Sequence, residues 1–127
     1  MNKKNKKNPT QAELEILQIL WKKHPETVRY VYEELNKIKE IGYTTALKLM
    51  QIMIEKKLLI RYGKGRQHTY SPAIEQEQMQ HSLLDKFLNS AFGGSASKLV
   101  MQTLGNYKPS REELKKIKDL IKSLEGE

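Results

Sequence analysis

The sequence predicts a mainly α-helical chain carrying one small β-hairpin, and three observations lead there. Apolar residues recur at helical spacing through most of the chain, in stretches separated by Gly, Pro and capping residues. Two short strand-like runs flank a Gly63-Lys64-Gly65-Arg66 turn near the middle. The excess of Lys and Arg ends with that hairpin: residues 1–72 hold fifteen Lys and Arg against seven Asp and Glu, whereas residues 73–127 hold eight of each. At 127 residues there is room for one ordinary domain, or for a small domain with an appendage that leans on something else.

The elements follow in order. Thr10-Gln11-Ala12-Glu13 is a capping box, in which the Thr hydroxyl and the Glu carboxylate satisfy each other's backbone donors at a helix start. Leu14, Leu17, Leu20 and Trp21 then fall on one stripe, and His24-Pro25 ends the run. A second helix from Thr27 to about Lys37 offers Val28, Val31 and Leu35 to a core, with Arg29, Glu33, Glu34 and Lys37 pointing elsewhere. Gly42 marks the next break. From Thr44 to Lys57 a third helix separates two faces: Ala46, Leu49, Met50 and Met53 on one, Thr44, Lys48, Gln51 and Glu55 on the other. One face packs and the other is open to a partner.

Residues 58–62 and 67–70 read as the strands of the hairpin, closed by Pro72. A helix from about Ile74 to Ala91 follows, with Leu83, Leu84, Phe87 and Leu88; Gly93 to Ser97 makes a joint. Leu99, Val100 and Leu104 mark a short helix up to Gly105. A second capping box, Ser110 to Glu113, opens a last helix striped with Leu114, Ile117, Ile121 and Leu124. Three striped helices are too few to make a stable domain alone, so residues 73–127 read as a dimerisation region. Residues 1–8 read as a basic tail, solvated or lying along a polyanion, and residues 9–72 as a binding domain.

Three helices followed by a hairpin is the order of a winged helix-turn-helix, in which the third helix enters the DNA major groove and the hairpin tip rides on the backbone. Tyr43, Thr44, Thr45, Lys48 and Gln51 supply a phenol, hydroxyls, a cation and an amide on the third helix, the side-chain types that hold phosphates and read base edges. Arg61, Lys64 and Arg66 supply cations on the hairpin. Singly, each has a plain reading as solvated surface. Together, with all the +8 net charge in this half, they point to double-stranded DNA. A winged-helix protein-interaction module and an effector-binding regulator are the alternatives; neither calls for charge concentrated around the hairpin.

Other classes find no support. There is no cysteine, hence no disulfide framework or thiolate metal site. His24, His68 and His81 lack ligand spacing and read as surface residues, and no catalytic motif is evident, so neither enzyme activity, cofactor nor metal is expected. No segment has the apolar length of a membrane span, so membrane insertion is not expected and the cytoplasm is the expected location.

Particular segments resemble one family. The run from Thr10 to Trp21, the segment Gly42-Tyr43-Thr44-Thr45-Ala46-Leu47-Lys48-Leu49-Met50 and the hairpin end His68 to Pro72 are similar to the penicillinase repressor family, which includes methicillin-resistance and copper-transport repressors. Phe92 to Gly94 and Lys98 to Met101 extend the resemblance toward the C-terminus. The resemblance implies a homodimer on a palindromic operator, with Thr44, Thr45 and Lys48 facing the DNA. It also implies a link to a membrane sensor-metalloprotease that triggers repressor cleavage in antibiotic-responsive members. There are departures from the pattern. Ile52 stands where arginine is common, and Lys57 where a helix-ending glycine is usual. The candidate cleavage region, Gln102 and Thr103, lacks the aromatic of the family's Asn-Phe bond, and copper sensing through thiolates is excluded by the absence of cysteine.

Overall fold

A computed structural model of the chain describes residues 8–126. The expected basic tail therefore lies outside the described residues, apart from Asn8. The order is α1 (Gln11–Lys22), α2 (Val28–Leu35), α3 (Tyr43–Glu55), β1 (Leu59–Tyr62), β2 (Thr69–Pro72), α4 (Gln76–Phe92), α5 (Ala96–Asn106) and α6 (Arg111–Leu124).

The first capping box forms: the Glu13 N–H donates to Thr10 Oγ1 at 3.2 Å and the Thr10 N–H to Glu13 Oε1 at 2.9 Å. The buried stripe of α1 is rotated from the one the sequence suggests. Ile16, Leu17 and Leu20 are fully buried, while Leu14 and Trp21 are only half-buried. The rotation follows from α1 packing against α2, α3 and β2 at once, which places the stripe centre between Leu17 and Ile16. Glu13, a charged residue on that stripe, is buried because the Lys56 ammonium meets its carboxylate at 2.6 Å; the same ammonium donates to the Asn8 carbonyl at 3.3 Å. Burying a carboxylate is costly unless it is paired and hydrogen-bonded, and this one is both.

α2 begins at Thr27, whose hydroxyl accepts from the Tyr30 N–H at 3.1 Å, and buries Val28, Val31 and Leu35. It stops two residues short of Lys37 because the Asn36 amide reaches across the following turn to the carbonyls of Tyr32 (3.1 Å) and Ile41 (3.0 Å). α3 buries Ala46, Met50 and Met53 as expected, with Leu49 half-buried at the edge of that face. Its end is a Schellman turn: the Leu58 N–H bonds the Met53 carbonyl at 2.8 Å and the Lys57 N–H bonds that of Ile54 at 3.0 Å. Lys57 takes the left-handed conformation this requires, φ +64°, as its place in the family pattern suggests.

β1 and β2 pair antiparallel in the register Leu59 with Pro72, Ile60 with Ser71, Arg61 with Tyr70 and Tyr62 with Thr69. The second strand thus runs through Pro72 instead of ending before it. Leu58, Leu59 and Tyr70 anchor the hairpin in the core, and the segment before α2 joins it through reciprocal bonds between Glu26 and Tyr70 at 3.0 and 2.8 Å. The turn is built on glycine where it must be: a Cβ on Gly63, φ +101°, would lie 2.5 Å from the Gln67 carbonyl oxygen.

The chain divides into two compact units, one ending at Gln80 and the other spanning His81–Glu127. The first unit takes in residues beyond Pro72 because the Trp21 indole N–H donates to the Ile74 carbonyl at 2.9 Å and Met79 is buried. In the second unit Ser95 caps α5, the expected Ser110–Glu113 box caps α6, and no described residue is buried. No helix of the described residues is long and apolar enough to cross a membrane.

Candidate nucleic-acid interface

α3 is fixed from behind by Ala46, Met50 and Met53, so its opposite side is held rigidly outward. Thr44, Thr45, Lys48 and Gln51 are all exposed on it, with Tyr43 at the first turn and Glu55 at the last. Ile52, at 39% exposure, sits on the same outward side between Lys48 and Glu55 in sequence, so an apolar group stands where the family commonly has arginine. Beside the helix, β1 packs against α3 and carries Arg61; Lys64 and Arg66 are exposed in the loop between the strands.

The structure brings two of these groups into one cleft. Tyr43 of α3 and Arg66 of the hairpin loop line it together, with Arg29 from α2 and with Gln67 and His68. The Tyr43 ring meets Tyr32 edge-on at 5.5 Å, and the Arg29 guanidinium lies over it 5.6 Å from the centroid. Arg29 and His68 were not legible as part of this site from spacing alone. The available signal was Arg29 itself, a cation in the first turn of a helix, where the macrodipole disfavours positive charge. His68 also departs from its reading as a plain surface residue. It is half-buried, and its Nδ1 is fully enclosed with no hydrogen-bond partner among the described residues. It precedes Thr69, the first residue of β2, and lines the cleft with residues of α2 and α3. His24 and His81 are exposed.

In the second unit the sequence-nominated stripe residues are arranged on solvent-facing helices. Leu84, Phe87, Val100, Leu114, Ile121 and Leu124 are exposed, and Leu83, Leu88, Leu99, Leu104 and Ile117 are half-buried. Met101, Tyr107 and Leu120 add exposed apolar surface that the stripe reading omitted, at 71%, 75% and 59% exposure. Gln102 and Thr103 are exposed in the middle of α5, where the Thr103 hydroxyl donates to the Leu99 carbonyl at 2.7 Å.

Three helices closed by an antiparallel hairpin, with a polar outward face on the third helix and a basic loop beside it, define a winged helix-turn-helix protein. Its family is likewise defined: the penicillinase repressor model matches residues 9–123, and the chain belongs to that family. It is 24% identical to the penicillinase repressor of Staphylococcus aureus over 113 residues, covering 89% of this chain and 90% of that one. Identity to the penicillinase repressor of Bacillus licheniformis is 27% over 110 residues, 87% and 86% of the two chains. A solution structure of Bacillus licheniformis BlaI, in its monomeric form in complex with the blaP half-operator, aligns with 54% of this chain and 84% of its own. The identity there is 28% and the TM-score 0.48.

Proposed function

We propose that the protein is a transcriptional repressor that binds duplex operator DNA as a homodimer, with α3 in the major groove and the hairpin loop on the backbone. The observation that carries this reading is the outward face of α3, which presents Thr44, Thr45, Lys48 and Gln51 and is flanked by Arg61, Lys64 and Arg66, in a chain whose relatives are named repressors. Thr44, Thr45, Lys48 and Gln51 are the base-reading and positioning groups, and Tyr43 braces the start of the helix. The helices beyond Gln80 supply the dimer contact, since they hold striped apolar residues and no buried ones. Relief of repression runs through cleavage linked to a membrane sensor-metalloprotease, as the family resemblance implies. If the cut falls at Gln102 and Thr103, that part of α5 must first unwind, because the bond lies inside a hydrogen-bonded helix.

Salt titration tests the reading. With both subunits contributing several cations, roughly six or more phosphates are neutralised, and affinity for duplex DNA is expected to fall by a factor of about a thousand between ~50 and ~200 mM salt. Fluorescence anisotropy with a labelled duplex reads this directly. A flat response would remove the DNA reading and favour the protein-interaction alternative.

A further inference from the structure

We propose that the cleft between the start of α2 and the base of the hairpin loop seats one DNA backbone phosphate, held by Arg29 and His68 together with Arg66. The proposal rests on the DNA reading above and adds residues to it. The cleft encloses about 320 Å³ and draws two arginines and a histidine from two separate parts of the chain, with no carboxylate in its lining. Three other clefts differ: that between α1 and α2 holds Glu15 and Glu34, that beside Trp21 holds Glu75, and that between α5 and α6 holds Glu113. An acid-free cleft lined by two arginines is complementary to an anion.

The individual groups are set for that role. The Arg29 guanidinium lies over the Tyr43 ring at 5.6 Å and near that of Tyr32 at 6.0 Å, and a guanidinium carries the donors to grip a phosphate at two points. Its acidic neighbour Glu33 is 3.9 Å away, and both side chains are more than half exposed, so this pair is weak and readily exchanged for a phosphate. Enclosed nitrogens are almost always partnered, yet Nδ1 of His68 has no partner among the described residues. That nitrogen is sealed from solvent, so the imidazole must turn outward for a phosphate oxygen to reach it. Position completes the case. Tyr43 opens the helix assigned to the groove and Arg66 belongs to the loop assigned to the backbone, so a strand passing from one to the other crosses this cleft.

The test uses the full chain and a random-sequence duplex of about 30 base pairs, with affinity measured across a salt series. Arg29→Ala is expected to weaken binding severalfold and to lower the salt slope by about one for each engaged subunit. Arg29→Lys keeps the charge and is expected to keep the slope. His68→Ala weakens binding to all sequences alike. Glu33→Gln strengthens binding, and the gain vanishes in the Arg29→Ala background. If Arg29→Lys loses as much of the salt slope as Arg29→Ala, no charge is engaged there, arginine merely props Tyr43 and the phosphate seat is wrong. Unchanged affinity and slope in Arg29→Ala, with losses in Lys64→Ala, would overturn the seat while leaving the DNA reading intact; absence of salt-dependent binding by the unmodified chain would sink both. Because Arg29→Lys and Glu33→Gln leave the core untouched, a folding defect in Arg29→Ala cannot hide the answer.

Discussion

Lys57 is the described non-glycine residue held at positive φ, and it is held there by the two backbone bonds that close α3. An L-residue pays about 1 to 2 kcal/mol for this conformation, which glycine does not. Lys57→Gly is therefore expected to raise the urea midpoint, with a net gain of about 1 kcal/mol once the extra freedom of the unfolded glycine is counted. A lowered midpoint would mean the turn is not strained, because only the entropic cost of glycine would then remain. Glu13 works in the other direction. Its carboxylate closes the cap of α1, meets Lys56 at 2.6 Å, and is buried. Glu13→Ala leaves the largely buried Lys56 ammonium unpaired and is expected to cost about 3 kcal/mol in the same unfolding measurement. A loss no greater than that of an ordinary exposed cap, about 1 kcal/mol, would show that Lys56 simply swings into solvent. The cap role of Glu13 was legible from four consecutive residues. Its burial was not, because that depends on a partner 43 positions away.

At the scale of the element, α3 was the most legible part of the chain. Period-3.6 spacing separated Ala46, Met50 and Met53 from Thr44, Lys48 and Gln51, and burial follows that division. What spacing could not show was the set of long-range meetings: the Glu26–Tyr70 bridge, which is a single residue pair with no pattern of its own, and the approach of α2 to the hairpin loop. The division of labour between α3 and the loop gives a test. Lys48→Ala and Gln51→Ala are expected to weaken specific binding by about 1 to 3 kcal/mol per lost base contact and non-specific binding much less. Lys64→Ala and Arg66→Ala are expected to weaken both equally, since phosphates carry no sequence. Competition titrations of operator against random duplex distinguish the two patterns, and their reversal would exchange the roles assigned to helix and loop.

For the whole molecule, the question is how a weak contact becomes a firm one. A winged-helix unit ending near Gln80 has its own core, from Ile16 and Leu17 through Leu58 to Met79, and is equipped to fold alone. The helices after it have none: Leu84, Phe87, Val100, Leu120 and Leu124 are each about half exposed or more. Burying such a side chain is worth about 1.5 to 3 kcal/mol, and soluble chains rarely leave a contiguous set of them to water. The stripes that carry this surface were legible from sequence; what covers them was not, because on the proposed reading it is a second chain. On the proposed reading, a two-fold pairing of these helices would set two α3 helices on a palindromic site, and each unit would then hold its half-site at the high effective concentration set by the other. Truncation after Ser90 is expected to leave the first unit folded, monomeric by sedimentation, and bound to operator at least about a hundredfold more weakly than the full chain. Both properties must change together. A truncated protein that remains dimeric and binds operator undiminished would place the dimer contact within the winged-helix unit, and the exposed apolar helices would then require another explanation.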